Sequence, residues 1–215
     1  NTTGASNVAV GQSALLANTT ASNNTAVGTS ALTANTTGDR NVAMGASALN
    51  ANTTADGNTA VGYQALRDNT TAEISTALGF EALKQNTTGG SNTAVGTVAL
   101  TANTTGAANT AIGKGALLAN TTGATNTAVG ESALLINTTG SYHVALGRLA
   151  GQNITTGDGN VCLGYNALAS SATVDNEFTL GSTGITSLRC NDTSISALSD
   201  SRDKTNVIDS PYGLD

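Results

Sequence analysis

The stretch Asn52-Thr53-Thr54-Ala55-Asp56-Gly57-Asn58-Thr59-Ala60-Val61-Gly62-Tyr63-Gln64-Ala65-Leu66-Arg67-Asp68 decides the fold, because a second version of it begins at once with Asn69-Thr70-Thr71. Asn-Thr-Thr opens at Asn1, Asn18, Asn35, Asn52, Asn69, Asn86, Asn103, Asn120 and Asn137, each 17 residues after the last. A tenth copy keeps the register through Thr155, Thr156 and Gly157, with Ile154 in the asparagine slot. A fixed period of this length is the signature of a repeat architecture, in which each unit is one small structural element stacked on the next.

Aligning the ten copies gives each position a physical meaning. The eleventh is glycine every time, from Gly11 and Gly28 through Gly113 to Gly164, so a side chain is excluded there by positive φ or by close backbone approach. The tenth is a medium apolar residue, such as Val10, Met44, Leu78, Ile112 and Leu163. The ninth is alanine except for Cys162, which marks a crowded site. The fourteenth is always alanine, and the fifteenth is leucine except at Gly151. The seventh is asparagine apart from Ser75 and His143. Positions five, six, twelve, thirteen and sixteen vary freely, as solvent-facing positions do; the twelfth holds Gln12, Tyr63, Phe80, Lys114, Glu131 and Arg148 in different copies.

A unit of 17 residues cannot bury its own apolar face, but stacked units can. The short β-like run ending at each glycine predicts one strand per unit, paired in parallel with its neighbours. The Ala-Leu-rich residues after the glycine suit a second strand or one helical turn, and the Asn-Thr-Thr-Gly segment suits a turn in which Asn and Gly supply the unusual dihedrals. The expectation is an all-β parallel β-solenoid, or β-roll, of ten coils over residues 1–170, then a short β-rich neck over 171–198 and a distinct segment over 199–215.

Composition supports a narrow core and removes several functions. Aromatic residues are 3% of the 215 residues, charged residues 10%, and there is no Trp. The net charge of -6 and the absence of a basic patch argue against a nucleic-acid partner. No apolar run is long enough to span a membrane, so no membrane insertion is expected. Cys162 and Cys190 are isolated and read as buried small residues. His143 is the only histidine and stands among scattered carboxylates, so no metal site is expected. Asp39, Asp56, Glu73 and Asp158 share the fifth position with Ala5, Gly90 and Ala107, which suits solvated charges rather than a calcium ladder. No phosphate-binding loop follows a strand, and no cofactor is implied. The Asn-Thr-Thr triplets satisfy the N-glycosylation pattern, but their regular spacing fits structural residues, with Thr stacked on Thr in adjacent coils.

Two stretches resemble known families. The run Asn-Thr-Ala-Val-Gly-x-x-Ala-Leu resembles the head repeats of trimeric autotransporter adhesins, which coil into parallel β-rolls with three chains side by side; similar repeats occur in phage tail fibres. The stretch Ser199-Asp200-Ser201-Arg202-Asp203-Lys204-Thr205-Asn206-Val207-Ile208, with Tyr212-Gly213-Leu214-Asp215 after it, is similar to the opening of the intramolecular chaperone at the ends of phage tail fibres and endosialidase tailspikes. That resemblance implies a trimer whose chaperone aids assembly and cuts itself off. Carried over, Ser199 is the nucleophile, Lys204 the base that takes its proton, and Ser199–Asp200 the scissile bond.

Together these features lead to an expected function. The chain reads as a homotrimeric structural component of a viral (phage) tail fibre, located in the virion, with no substrate-directed activity. Its expected partners are itself, other tail or fibre proteins and a host cell-surface receptor of glycan type. The alternative is a bacterial trimeric surface adhesin head on the cell surface. Receptor contact would fall on the outward residues Tyr63, Phe80 and Tyr165. Trimerisation would bury the small ninth-position residues Ala26, Ala60 and Ala94, or else the ninth and tenth on opposite faces.

Overall fold

The computed structural model describes residues 1–186. Asn1–Gly184 forms one compact unit. It is a parallel β-solenoid of stacked coils, each contributing one three-residue strand to a single sheet of eleven, from β1 (Val8–Val10) to β11 (Phe178–Leu180). Strands neighbour one another in chain order, and every residue pairs with its counterpart 17 residues on: Thr59 with Thr76, Ala60 with Ala77, Val61 with Leu78. The ladder continues past residue 170, where the repeat motif fades. Phe178 pairs with Val161 and Leu180 with Leu163, and Gly181 falls in the glycine column.

That column shows why no other residue is tolerated. Its glycines have φ between 113° and 143° from Gly11 to Gly164, a region that disfavours side chains. From Gly11 to Gly147, a Cβ would lie 2.3–2.7 Å from the carbonyl group of the next coil's glycine. Both explanations offered by the sequence therefore apply at once.

The Ala-Leu-rich segment forms neither the second strand nor the helical turn expected of it. Two β-turns replace them, closed in one coil by Ala99 N–H to Gly96 O at 3.3 Å and Asn103 N–H to Leu100 O at 3.3 Å. The unusual dihedrals are also placed differently. They fall at the sixth, thirteenth and fifteenth positions, not at Asn or Gly of the Asn-Thr-Thr-Gly segment; in the sixth coil these are Ser91 (φ 59°), Val98 (φ 52°) and Leu100 (φ 53°). A left-handed L-residue costs roughly 1–2 kcal/mol. Fully burying a leucine side chain contributes about 1.5–3 kcal/mol. The fifteenth-position leucines from Leu32 to Leu134 are completely buried, so burial outweighs the strained backbone.

The core is correspondingly thin. It consists of the ninth- and fourteenth-position alanines and the fifteenth-position leucines, stacked along the coil axis. At Gly151 the leucine is missing and Ile154 fills its place: a Cβ on Gly151 would meet Leu134 Cδ2 at 2.9 Å and Ile154 Cδ1 at 3.3 Å. Cys162, buried as the sequence suggested, lies against the same spot, its Sγ 3.6 Å from that point.

Candidate functional site

Two columns of asparagine run through the interior. In the first-position column each amide donates to the Oδ1 of the preceding coil's asparagine, at 2.7–3.2 Å from Asn52 to Asn137. The same amide donates to the fourth-position carbonyl of its own coil, as Asn103 does to Gly106 at 2.8 Å. In the seventh-position column Oδ1 accepts the next coil's backbone N–H, as in Asn126 N–H to Asn109 Oδ1 at 3.0 Å. Its amide donates to the next coil's fourth-position carbonyl, so Gly106 O also accepts from Asn92 at 2.8 Å. Buried polar groups must find partners, and asparagine offers a donor and an acceptor at once.

Threonine supplies a third column. From Thr2 to Thr155 the second-position hydroxyl donates to the next coil's second-position carbonyl, as Thr104 Oγ1 does to Thr121 O at 3.0 Å. The expected threonine stacking is thus a hydroxyl-to-backbone chain. The asparagines from Asn35 to Asn137 are fully buried, which closes these glycosylation patterns in the folded chain.

The fifth-position acids are not simply solvated charges. Asp39 Oδ1 accepts Ser22 N–H at 2.6 Å, Asp56 Oδ1 accepts Asp39 N–H at 2.7 Å, and Asp158 Oδ1 accepts Ser141 N–H at 2.7 Å. Each carboxylate satisfies a backbone donor that the turn leaves open. The signal was present in the sequence as Ser or Asp recurring in consecutive copies. No cluster that could hold a metal occurs among the described residues.

The outer surface of the sheet carries a row of exposed apolar side chains. Strand side chains alternate, and here the ninth position points in: Ala26, Ala60 and Ala94 are fully buried within a single chain. They are therefore not the surface between chains that the sequence suggested; the solenoid is so narrow that alanine fills it. The tenth position points out. Val10, Met44, Leu78, Ile112, Leu146 and Leu180 are 40–57% exposed, and Val27, Val61, Val95, Val129 and Leu163 are half-buried between them. Beside this row the eighth position carries Thr59, Thr76, Thr93, Thr110 and Thr127 in the middle, with Val144, Val161 and Phe178 toward one end. At strand spacing the strip is about 48 Å long, with its rows roughly 7 Å apart. An exposed apolar row of this length is uncommon on the surface of a single soluble chain.

The residues expected to contact a receptor lie along one edge of that strip but form two patches. Tyr63 and Phe80 sit in adjacent coils and stack, with ring centroids 5.4 Å apart and planes inclined by 19°. Tyr165 is five coils beyond Phe80, where the Arg148 guanidinium lies 5.7 Å from its ring and also bonds Glu131 at 3.1 Å. A cleft of about 280 Å³ formed by the tenth and eleventh coils is lined by Asn166, Leu168, Thr179, Gly181, Ser182 and Thr183, none of them titratable. Ser199, Asp200, Lys204 and Cys190 lie outside the described residues.

The seventh-position column has one titratable member. His143 is 1% exposed and stands where asparagine stands in most coils. Its Nδ1 accepts Asn160 N–H at 3.1 Å, while Nε2 has no hydrogen-bond partner among the described residues. Burial holds its pKa below the ordinary value against the opposite pull of the Gly157 carbonyl, Asp158 and Asp175. Compared with known proteins, the chain matches no protein family, no curated protein and no solved structure.

Proposed function

We propose that this chain is the shaft of a homotrimeric fibre, a structural component of a viral tail fibre that holds an attachment device at a distance from the particle. One observation carries the reading: the uncovered apolar row on the outer sheet face, unbroken from Val10 to Leu180. A second copy of the same solenoid offers a complementary surface of equal length. Three copies around a threefold axis cover all such faces and leave no open-ended contact. The resemblance of the repeats to adhesin heads, and of residues 199–215 to a fibre chaperone, favours the same arrangement. Host contact belongs to the edge residues Tyr63, Phe80 and Tyr165, which a threefold core leaves at its rim.

Sedimentation equilibrium with chemical cross-linking of the full chain tests this. A trimer is expected, and Leu78→Lys combined with Ile112→Lys is expected to separate it while the β-sheet circular dichroism signal persists. A parent chain that remains monomeric, or that forms only dimers, would overturn the threefold shaft. Intact mass of the same sample reports the expected cut before Asp200.

A further inference from the structure

We propose that the junction between the ninth and tenth coils is an acid-sensitive break point of the solenoid, opened by protonation of the His143 ring. The proposal concerns a single chain and does not depend on the fibre reading.

The geometry begins with what holds two coils together beyond the backbone ladder. A regular junction such as that between the seventh and eighth coils has four cross-coil side-chain bonds from the three columns. They are Asn120 to Asn103, Asn126 N–H to Asn109, Asn109 to Gly123, and Thr104 to Thr121. Between the ninth and tenth coils only two of these four column bonds remain, Thr138 to Thr155 and Asn160 N–H to His143 Nδ1. Outside the columns the junction is also spanned by Ser141 N–H to Asp158, Gln152 to Asn166 and the two bonds between Asn153 and Ala169, so the loss is confined to the interior. The first-position bond is gone because Ile154 has no amide, and Asn137 Oδ1 is left without a partner. The second seventh-position bond is not closed: the Gly157 carbonyl lies near enough to pull on the His143 ring, but Nε2 does not meet it in hydrogen-bond geometry.

One of the two survivors depends on protonation. Asparagine presents an acceptor to the next coil's N–H at any pH. Imidazole does so only when neutral, because imidazolium is a donor at both nitrogens. With Nδ1 accepting from Asn160, the neutral ring carries its proton on Nε2. Adding a proton at Nδ1 sets N–H against N–H inside a site too buried for water to intervene. Asp158 and Asp175, on the tenth and eleventh coils, are the charged groups that act on the ring; both favour the cation, yet burial prevails. The folded chain therefore binds this proton less readily than the unfolded chain. Stability is full above the ordinary histidine value of about 6.5 and falls as pH drops below it, until the depressed folded-state value is reached.

Hydrogen exchange followed by mass spectrometry at pH 7.5, 6.5, 5.5 and 4.5, corrected for intrinsic rates, tests the proposal on the full chain. Protection in peptides spanning residues 143–165 is expected to fall about tenfold for each unit by which the folded pKa is depressed, while the third to eighth coils stay unchanged. His143→Asn, which restores the ladder residue, is expected to remove that loss. Asn109→His is expected to create a second acid-sensitive junction between the seventh and eighth coils. Identical pH profiles in the parent and His143→Asn would overturn the proposal. So would an acid-induced loss of protection that survives the substitution, which would assign the effect to groups other than the His143 ring.

Discussion

The seventh and eighth coils and the ninth and tenth share one backbone path but differ in how their interiors are joined. In the first pair asparagine meets asparagine, and every amide group has a partner. In the second, His143, Gly151, Ile154 and Cys162 replace Asn, Leu, Asn and Ala within a short stretch. The packing stays closed, because Ile154 occupies the volume that leucine leaves at Gly151. The polar network does not, since Asn137 Oδ1 and His143 Nε2 are both orphaned. Apolar volume can be supplied by any side chain that reaches the gap, whereas a hydrogen bond needs one atom in one place.

This contrast can be tested by substitution, starting with the core. Leu117→Ala removes a fully buried side chain from a regular coil, and urea unfolding is expected to show a loss of about 2–5 kcal/mol. Asn109→Ala strips the Asn126 N–H of its acceptor and Gly123 O of one donor, a loss of about 1–3 kcal/mol. His143→Ala is expected to cost less than Asn109→Ala, because His143 accepts one such bond and donates none; equal losses would remove the distinction between the two junctions.

Gly151→Leu is expected to destabilise by about 1–3 kcal/mol through collision with Ile154 and Leu134. Adding Ile154→Asn should recover much of it, with a coupling of about 0.5–3 kcal/mol in a double-mutant cycle. Independent effects would mean that the two replacements do not compensate each other. Thr104→Val should cost about 1 kcal/mol for one hydroxyl bond. Thr97→Ala, on the exposed edge, should stay within about 0.5 kcal/mol.

Much of this was legible in the sequence. The period gave the stacking, and the glycine column was marked by a position that admits no side chain in any copy. Alternation within Thr59-Ala60-Val61 also showed that the ninth and tenth positions face opposite ways. It did not show which faces in. That depends on the curvature of the coil, which the turns determine, and the turns were the least readable part. They rest on left-handed conformations at Leu100 and Val98, residue types that rarely adopt them, so local preference pointed to a strand or helix instead. Asp39 and Asp158 are solvent-accessible, as expected of solvated charges, but they also accept a neighbouring coil's N–H, a role that depends on the turn. The pairing of Tyr63 with Phe80, and their separation from Tyr165, follows directly from counting coils.

The glycine column also restricts how such a molecule can grow. Each glycine is pressed so closely against the next that adding or deleting a single residue within the strand that leads into it would move a side chain into the column and force two layers apart. Lengthening is therefore quantised: the chain can gain or lose reach only by whole layers of 17 residues, about 4.8 Å at a time. In-frame duplication of a unit is a small step for such a gene, while a one-codon slip is a large one.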